Sequence, residues 1–257
     1  SEWLLLHLNA NETRSEIKIY PNWLEQGIDI NAEFLKLGSS AEAEITAAPT
    51  VNDLPNKADN DIVFANIPPL NFHCDSCSIG LLDMGEVDAK IQRESGETIR
   101  LTDFQAVRGE TKLSLNGSWL HNNLNSTTSL IGKLSVDDVE SEMQALSFDS
   151  IIKDSGAKID VNLNWSGGLH DFDLSRLNGK VKGQLDDGYL ADVSDNGARL
   201  FSVLSLQSLV RKLTLDFRDI FSDGMFYSSI EGDYQLDHGT LTTENTEMNG
   251  TAGNLFM

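Results

Sequence analysis

Thr111-Lys-Leu-Ser-Leu-Asn-Gly-Ser-Trp119 sets Leu113, Leu115 and Trp119 on one parity and mostly polar residues on the other. Lys158-Ile-Asp-Val-Asn-Leu-Asn-Trp165 repeats the pattern with Ile159, Val161, Leu163 and Trp165. Successive side chains of a strand point to opposite faces, so each stretch reads as a strand with one apolar face. Parity forces same-face placement within each strand, which makes these residues the candidate lining of an apolar surface. Both strands end on tryptophan and run into polar or glycine-rich turn text.

A second internal echo lies further along the chain. Leu185-Asp-Asp-Gly188-Tyr-Leu190 and Leu236-Asp-His-Gly239-Thr-Leu241 both read L-D-x-G-x-L, each after a glycine-marked strand. Asp-x-Gly between alternating segments is hairpin chemistry, because glycine accepts the positive φ of a tight turn. This reading puts Asp186-Asp187 on a hairpin tip. Further turns are expected at Glu94-Ser-Gly-Glu97 and Arg108-Gly-Glu110. A repeated strand–turn–strand unit predicts an array of hairpins, mainly β, forming an antiparallel meander.

Helical periodicity is scarce. Leu206, Leu209, Val210 and Leu213 recur at three- and four-residue intervals, which predicts a helix from about 195 to 213. Leu200, Phe201 and Leu204 add apolar surface beyond one stripe, so this helix is a candidate plug or a permanently packed cover. A shorter helix is expected from Val139 to Leu146, with Asp137 or Asp138 as its cap. Ala47 to Asn60, with Pro49, Pro55 and several Asn and Asp, reads as loop. It divides residues 1–60, N-terminal strands and a Pro/Asn/Asp-rich loop, from residues 61–257, the main strand array.

Composition narrows function. Forty acidic residues face 19 basic ones among 257, a net charge of -21. Such a surface repels phosphate backbones, which argues against nucleic acid as a partner. No apolar run is long enough for a membrane-spanning helix. The text is strand-like at Ser1-Glu-Trp-Leu4 and at Asn254-Leu-Phe-Met257, as in the interior of a longer polypeptide whose targeting signal lies upstream. Cys74 and Cys77 can form a local disulfide or stay as free thiols; with no second pair at matched spacing, a metal site is not expected. Asp216 and Asp219 around Arg218 read as a structural turn rather than an acid–base pair. No nucleophile elbow, phosphate loop or metalloprotease text occurs, so neither an active site nor a cofactor is expected.

The last third carries a resemblance. Leu163-Asn-Trp165, Leu177-Asn-Gly179, the helical stretch ending Leu215-Asp-Phe217, Phe221-Ser-Asp-Gly224, Ile230-Glu-Gly232 and Leu236-Asp-His-Gly239 together resemble the C-terminal signature of the YhdP branch of AsmA-like proteins, relatives of TamB. Ile67-Pro-Pro-Leu70 and Leu115-Asn-Gly-Ser-Trp119 fit it more loosely. The resemblance implies a strongly curved, taco-like sheet and a bridge-like phospholipid transporter. It implies a monomeric, periplasmic segment, not an enzyme, that holds phospholipid acyl chains in an apolar β-groove. The full-length protein would reach both the inner and outer membranes and support the outer-membrane barrier. The alternation by itself also fits a closed β-sandwich binding or adhesin-like module.

Overall fold

A computed structural model describes residues 3–38, 57–80, 82–168, 171–191, 225–243, 245–250 and 253–256. The helix expected at about 195–213, with its plug candidates, lies outside these residues.

The described chain is mainly β. Its elements are β1 (Leu4–Asn9), β2 (Thr13–Ile19), α1 (Trp23–Gln26), β3 (Ile28–Leu37), α2 (Lys57–Asn66), β4 (Leu70–Ile79), β5 (Leu82–Ser95), β6 (Thr98–Arg108), β7 (Thr111–His121) and β8 (Ser126–Val136). They continue as α3 (Val139–Ala145), β9 (Ile152–Lys153), β10 (Ala157–Ser166), β11 (Asn178–Leu185), β12 (Gly188–Leu190), β13 (Met225–Asp237), β14 (Thr240–Thr243), β15 (Glu247–Gly250) and β16 (Gly253–Phe256). Hydrogen bonding orders them β1-β2-β3-β4-β5-β6-β7-β8-β10-β11-β13-β12-β9, with β14 and β15 also on β13 and β16 on β15. Through β8 the sheet follows chain order, as a meander must. Two compact units divide the chain. The first comprises Ser1–Gly109, Leu113–Ile131 and Asn164–Asp173; the second holds the remainder.

In the first unit, register places apolar residues opposite one another from strand to strand. Leu6, Ile17, Ile30, Phe72 and Ala89 form one row across β1 to β5. Leu4, Ile19, Ile28, Leu70, Ile91 and Leu101 form the next, reaching β6. The opposite face is polar, with Lys18, Asp29, Asn71, Lys90 and Thr102 in register. On β6 the apolar set moves from odd positions, Ile99 and Leu101, to even ones, Phe104 and Ala106. The cause is a bulge at Asp103, whose φ of 53° takes up one extra residue.

One pairing departs from the expected antiparallel pattern: β3 and β4 run parallel. Parallel neighbours need a crossover rather than a hairpin, and α2 lies in that connection. Lys57–Asn60, read from sequence as the end of a loop, are the first turn of α2. A second bulge falls at Asp75-Ser76. It turns Cys74 and Cys77 toward the same side, joined by a disulfide with Cα atoms 5.9 Å apart. Both are buried with Ala32, Val87 and Ala106.

In the second unit, β13 is the organising strand and pairs with β11, β12, β14 and β15. The two L-D-x-G-x-L stretches behave differently. At His238-Gly239 both φ values are positive, 46° and 74°, and β13 turns back into β14 with Leu236 opposite Leu241. At Asp186-Asp187 the chain does not reverse: β11 and β12 run antiparallel to the same strand, β13, one after the other. Gly188 does not take a positive φ. It serves close approach instead, since a Cβ there would lie 2.8 Å from the Lys153 carbonyl oxygen of β9. The hairpin expected at residues 185–190 is therefore a kinked strand. The short helix does form, as α3, with Asp138 Oδ1 accepting from the backbone N–H groups of Glu140 and Ser141 at 3.0 and 3.3 Å.

Candidate apolar binding face

Side-chain exposure alternates along both tryptophan-ended strands. On β7, Leu113 and Leu115 are half-buried while Lys112, Ser114 and Asn116 are exposed. On β10, Ile159, Val161 and Leu163 are half-buried while Lys158, Asp160, Asn162 and Asn164 are exposed. Each strand thus gathers its apolar residues on the less exposed face, yet leaves them only partly covered. β8 stands between the two in the sheet order.

The tryptophans that end these strands differ from the residues before them. Trp119 is 1% exposed and Trp165 4%. The Trp119 indole N–H donates to Ser126 Oγ at 2.9 Å, and Phe64 of α2 meets its ring edge-on at 5.1 Å between centroids. The Trp165 indole N–H donates to the Gly168 carbonyl at 2.9 Å, with Phe172 edge-on at 5.4 Å. Edge-on aromatic contact with a satisfied indole is a stable burial, so both rings are covered by the protein itself.

Beside Trp119, α2 docks on the apolar side of the sheet. Phe64 packs with Ile99 and Trp119, and Val63, Ile67 and Ile91 flank them. Arg93 of β5 donates to the carbonyls of Phe64 and Ile67 at 2.7 and 3.2 Å. His121 at the end of β7 meets Asp61 Oδ1 through Nε2 at 2.7 Å. Ten helical residues rise about 15 Å, roughly three strand spacings, which suits a helix reaching from β7 back toward β4. Sequence reasoning missed this helix. The signal was Ile62-Val63-Phe64 followed by Pro68-Pro69, a short apolar turn with a stop, hidden among Asn and Asp.

The polar face of the first unit carries the one group among the described residues able to gather around a metal: His73, Glu86 and Asp88, with ligand atoms within 4.8 Å of one another. His73 Nδ1 lies 2.8 Å from Asp88 Oδ1 and Nε2 lies 3.2 Å from Asp75 Oδ1. These carboxylates raise the His73 pKa above its ordinary value, the Asp88 hydrogen bond most strongly, with burial opposing. Both carboxylates are exposed and His73 already engages Asp88 and Asp75, so the group reads as a charged surface cluster.

Comparison with known proteins decides the family. A profile described as YhdP protein matches residues 3–257.

The chain belongs to the YhdP family.

It is also similar to the intermembrane phospholipid transporter YhdP of Escherichia coli (strain K12), 29% identical over 197 residues. That match covers 76% of this chain but 16% of the E. coli protein, so the chain spans a small part of its relative. No solved structure matches it. The family seen in the last third of the sequence is thus the family of nearly the whole chain, whose described residues are mainly β and mostly antiparallel. No helix among the described residues is long and apolar enough to cross a membrane.

Proposed function

We propose that this chain is a periplasmic segment of an intermembrane phospholipid transporter, holding acyl chains against the apolar face of a strongly curved, groove-like sheet. The observation that carries the reading is the half-burial of Leu113, Leu115, Ile159, Val161 and Leu163 on the apolar side of their strands. A water-soluble sheet normally covers such residues completely, and apolar surface left open on a strand marks an interaction site. Acyl chains satisfy it without directional partners. One tail, about half of a roughly 30 Å hydrocarbon core, would lie across about three strands. On each strand the covered tryptophan, Trp119 against Phe64 and Trp165 against Phe172, marks where that strand's lipid-facing run ends.

In this reading the polar headgroups stay outside the strip, and the protein does no bond chemistry. The whole protein would bridge inner and outer membranes and maintain the outer-membrane barrier. A closed β-sandwich module is the competing reading. It needs the same residues fully buried, and their partial exposure counts against it.

Organic extraction of the purified chain followed by mass spectrometry tests the proposal. Phospholipid at near-stoichiometric yield is the expected result. A lipid-free protein that also fails to take up phospholipid from vesicles would overturn it.

A further inference from the structure

Arg93 is out of place on a lipid-facing surface. It stands opposite Ile99 and two residues from Ile91, which faces Leu101, so it shares the apolar side. A guanidinium presented to acyl chains carries a heavy desolvation cost. Here the charge is consumed by α2. Its Nη2 reaches the Phe64 and Ile67 carbonyls, at the helix end where carbonyls lack partners within the helix. Its guanidinium carbon also lies 4.8 Å from the centre of the Phe64 ring.

The helix is held elsewhere too. Asp61 is tied to His121, whose side chain is 6% exposed, and Phe64 is locked edge-on against Trp119. Past the helix, the Pro69 carbonyl accepts from Ile28 N–H at 2.9 Å, fixing where the chain passes into β4. Gly27 leaves room for that carbonyl, since a Cβ there would come within 2.6 Å of the Pro69 oxygen.

We propose that α2 is a fixed side wall of the acyl-chain strip: it withdraws Ile99, Trp119 and Arg93 from lipid and confines tails to the neighbouring rows marked by Phe72, Ala89 and Leu115. This rests on the acyl-chain reading of the face. Tails then lie alongside the helix, crossing the strands as it does. Phe64, Arg93, Asp61 and His121 are positioning residues that set the margin of the strip without touching the cargo.

Photo-cross-linking tests the wall. Benzoylphenylalanine is placed at Leu115 or, separately, at Ile91, in the otherwise native chain and with Phe64→Ala, and lipid adducts are counted by mass spectrometry in Gram-negative cells. Leu115 should take lipid in both backgrounds. Ile91 should take little in the native background and about tenfold more with Phe64→Ala, the change that roughly 1.4 kcal/mol of lost docking produces. Equal Ile91 adducts in both backgrounds would overturn the wall. Should Phe64→Ala fail to fold by circular dichroism, a second variant decides: Asp61→Cys with His121→Cys, in a Cys74→Ser, Cys77→Ser background. A fixed wall predicts the same Leu115 adduct yield with that pair reduced or oxidised. Loss of the adduct on oxidation would mean that the helix has to move, and the proposal fails. No adduct at Leu115 in any variant would remove the acyl-chain reading, and the wall with it.

Discussion

Arg93 donates to the Phe64 carbonyl at 2.7 Å while its guanidinium carbon rests 4.8 Å from the ring of the same residue. One side chain thus grips both the backbone and the side chain of the helix that covers its face. Arg93→Met keeps the apolar stem and removes the grip, leaving the Phe64 carbonyl without this donor. The expected loss is about 1.5–3 kcal/mol, the usual worth of a charged hydrogen bond. Arg93→Lys should recover only part, because an ammonium can donate to the carbonyls but does not replace the planar, weakly hydrated guanidinium resting by the Phe64 ring. Melting temperatures of the three proteins check both statements.

Leu115 and Leu163 are half-buried, so a carboxylate at either position stays partly hydrated and the fold should survive. An apolar tail crossing the same spot has no such relief and meets a penalty of about 1–3 kcal/mol at each site. The Leu115→Asp, Leu163→Asp double variant should therefore express, melt near the native temperature and lose phospholipid uptake. Full barrier function in cells making that variant in the full-length protein would speak against the lipid-facing assignment.

His73 holds its proton to higher pH in the folded chain than an ordinary histidine, first because of its hydrogen bond to Asp88. A raised folded-state pKa stabilises the fold fully below the unfolded value near 6.5. That contribution fades as pH rises through the folded value. An NMR titration should place the His73 midpoint above that of a free histidine. Asp88→Asn should bring it down and flatten the stability difference between acid and neutral pH.

Asp138 caps α3, and its bond from the Ser141 hydroxyl, followed by the backbone bond from the same residue, lowers its pKa. The cap therefore stabilises the fold above the unfolded pKa, near 3.8, and weakens as pH falls through the lower folded value. Asp138→Ala should cost about 1 kcal/mol, with Asp138→Asn or Asp138→Ser losing less. Urea denaturation at neutral pH gives the comparison.

Denaturing the unreduced protein and titrating thiols should find none, since Cys74 and Cys77 are bonded. Replacing both with serine frees the unfolded chain of one short cross-link and should cost about 2 kcal/mol, as expected for so small a loop. Phospholipid uptake should persist, because both sulfurs are buried inside the packed cluster with Ala32 and Val87, while Leu113 only borders that cluster and stays partly exposed.

Alternation made β7 and β10 legible, because each keeps one parity from end to end. It failed on β6, where Asp103 shifts the apolar set from Leu101 to Phe104 and no strict period survives. It also could not tell that β3 and β4 run parallel, since side-chain parity is blind to strand direction. The L-D-x-G echo shows the limit of turn chemistry: the same text makes a hairpin at His238-Gly239 and a kink at Asp186-Asp187, where Ser155 and Gly156 hold the backbone of Asp186. The helix α2 was hidden for another reason. Its anchors, Arg93, Trp119 and His121, are far along the chain, and its local sequence is too polar to announce a buried face.

The parallel seam between β3 and β4 has a consequence for biogenesis. Asn71 Nδ2 donates to Asp29 Oδ1 across 42 residues, whereas β1 to β3 and β4 to β8 each assemble from sequence neighbours. Local hairpins form quickly and distant pairings late. As the chain is synthesised, β1 to β3 can pair with one another before β4 exists. Until Leu70–Ile79 emerges, Ile28–Leu37 offers an unpaired strand edge, the feature that recruits other nascent chains into aggregates. This interval of synthesis is where a holdase chaperone would protect the protein most.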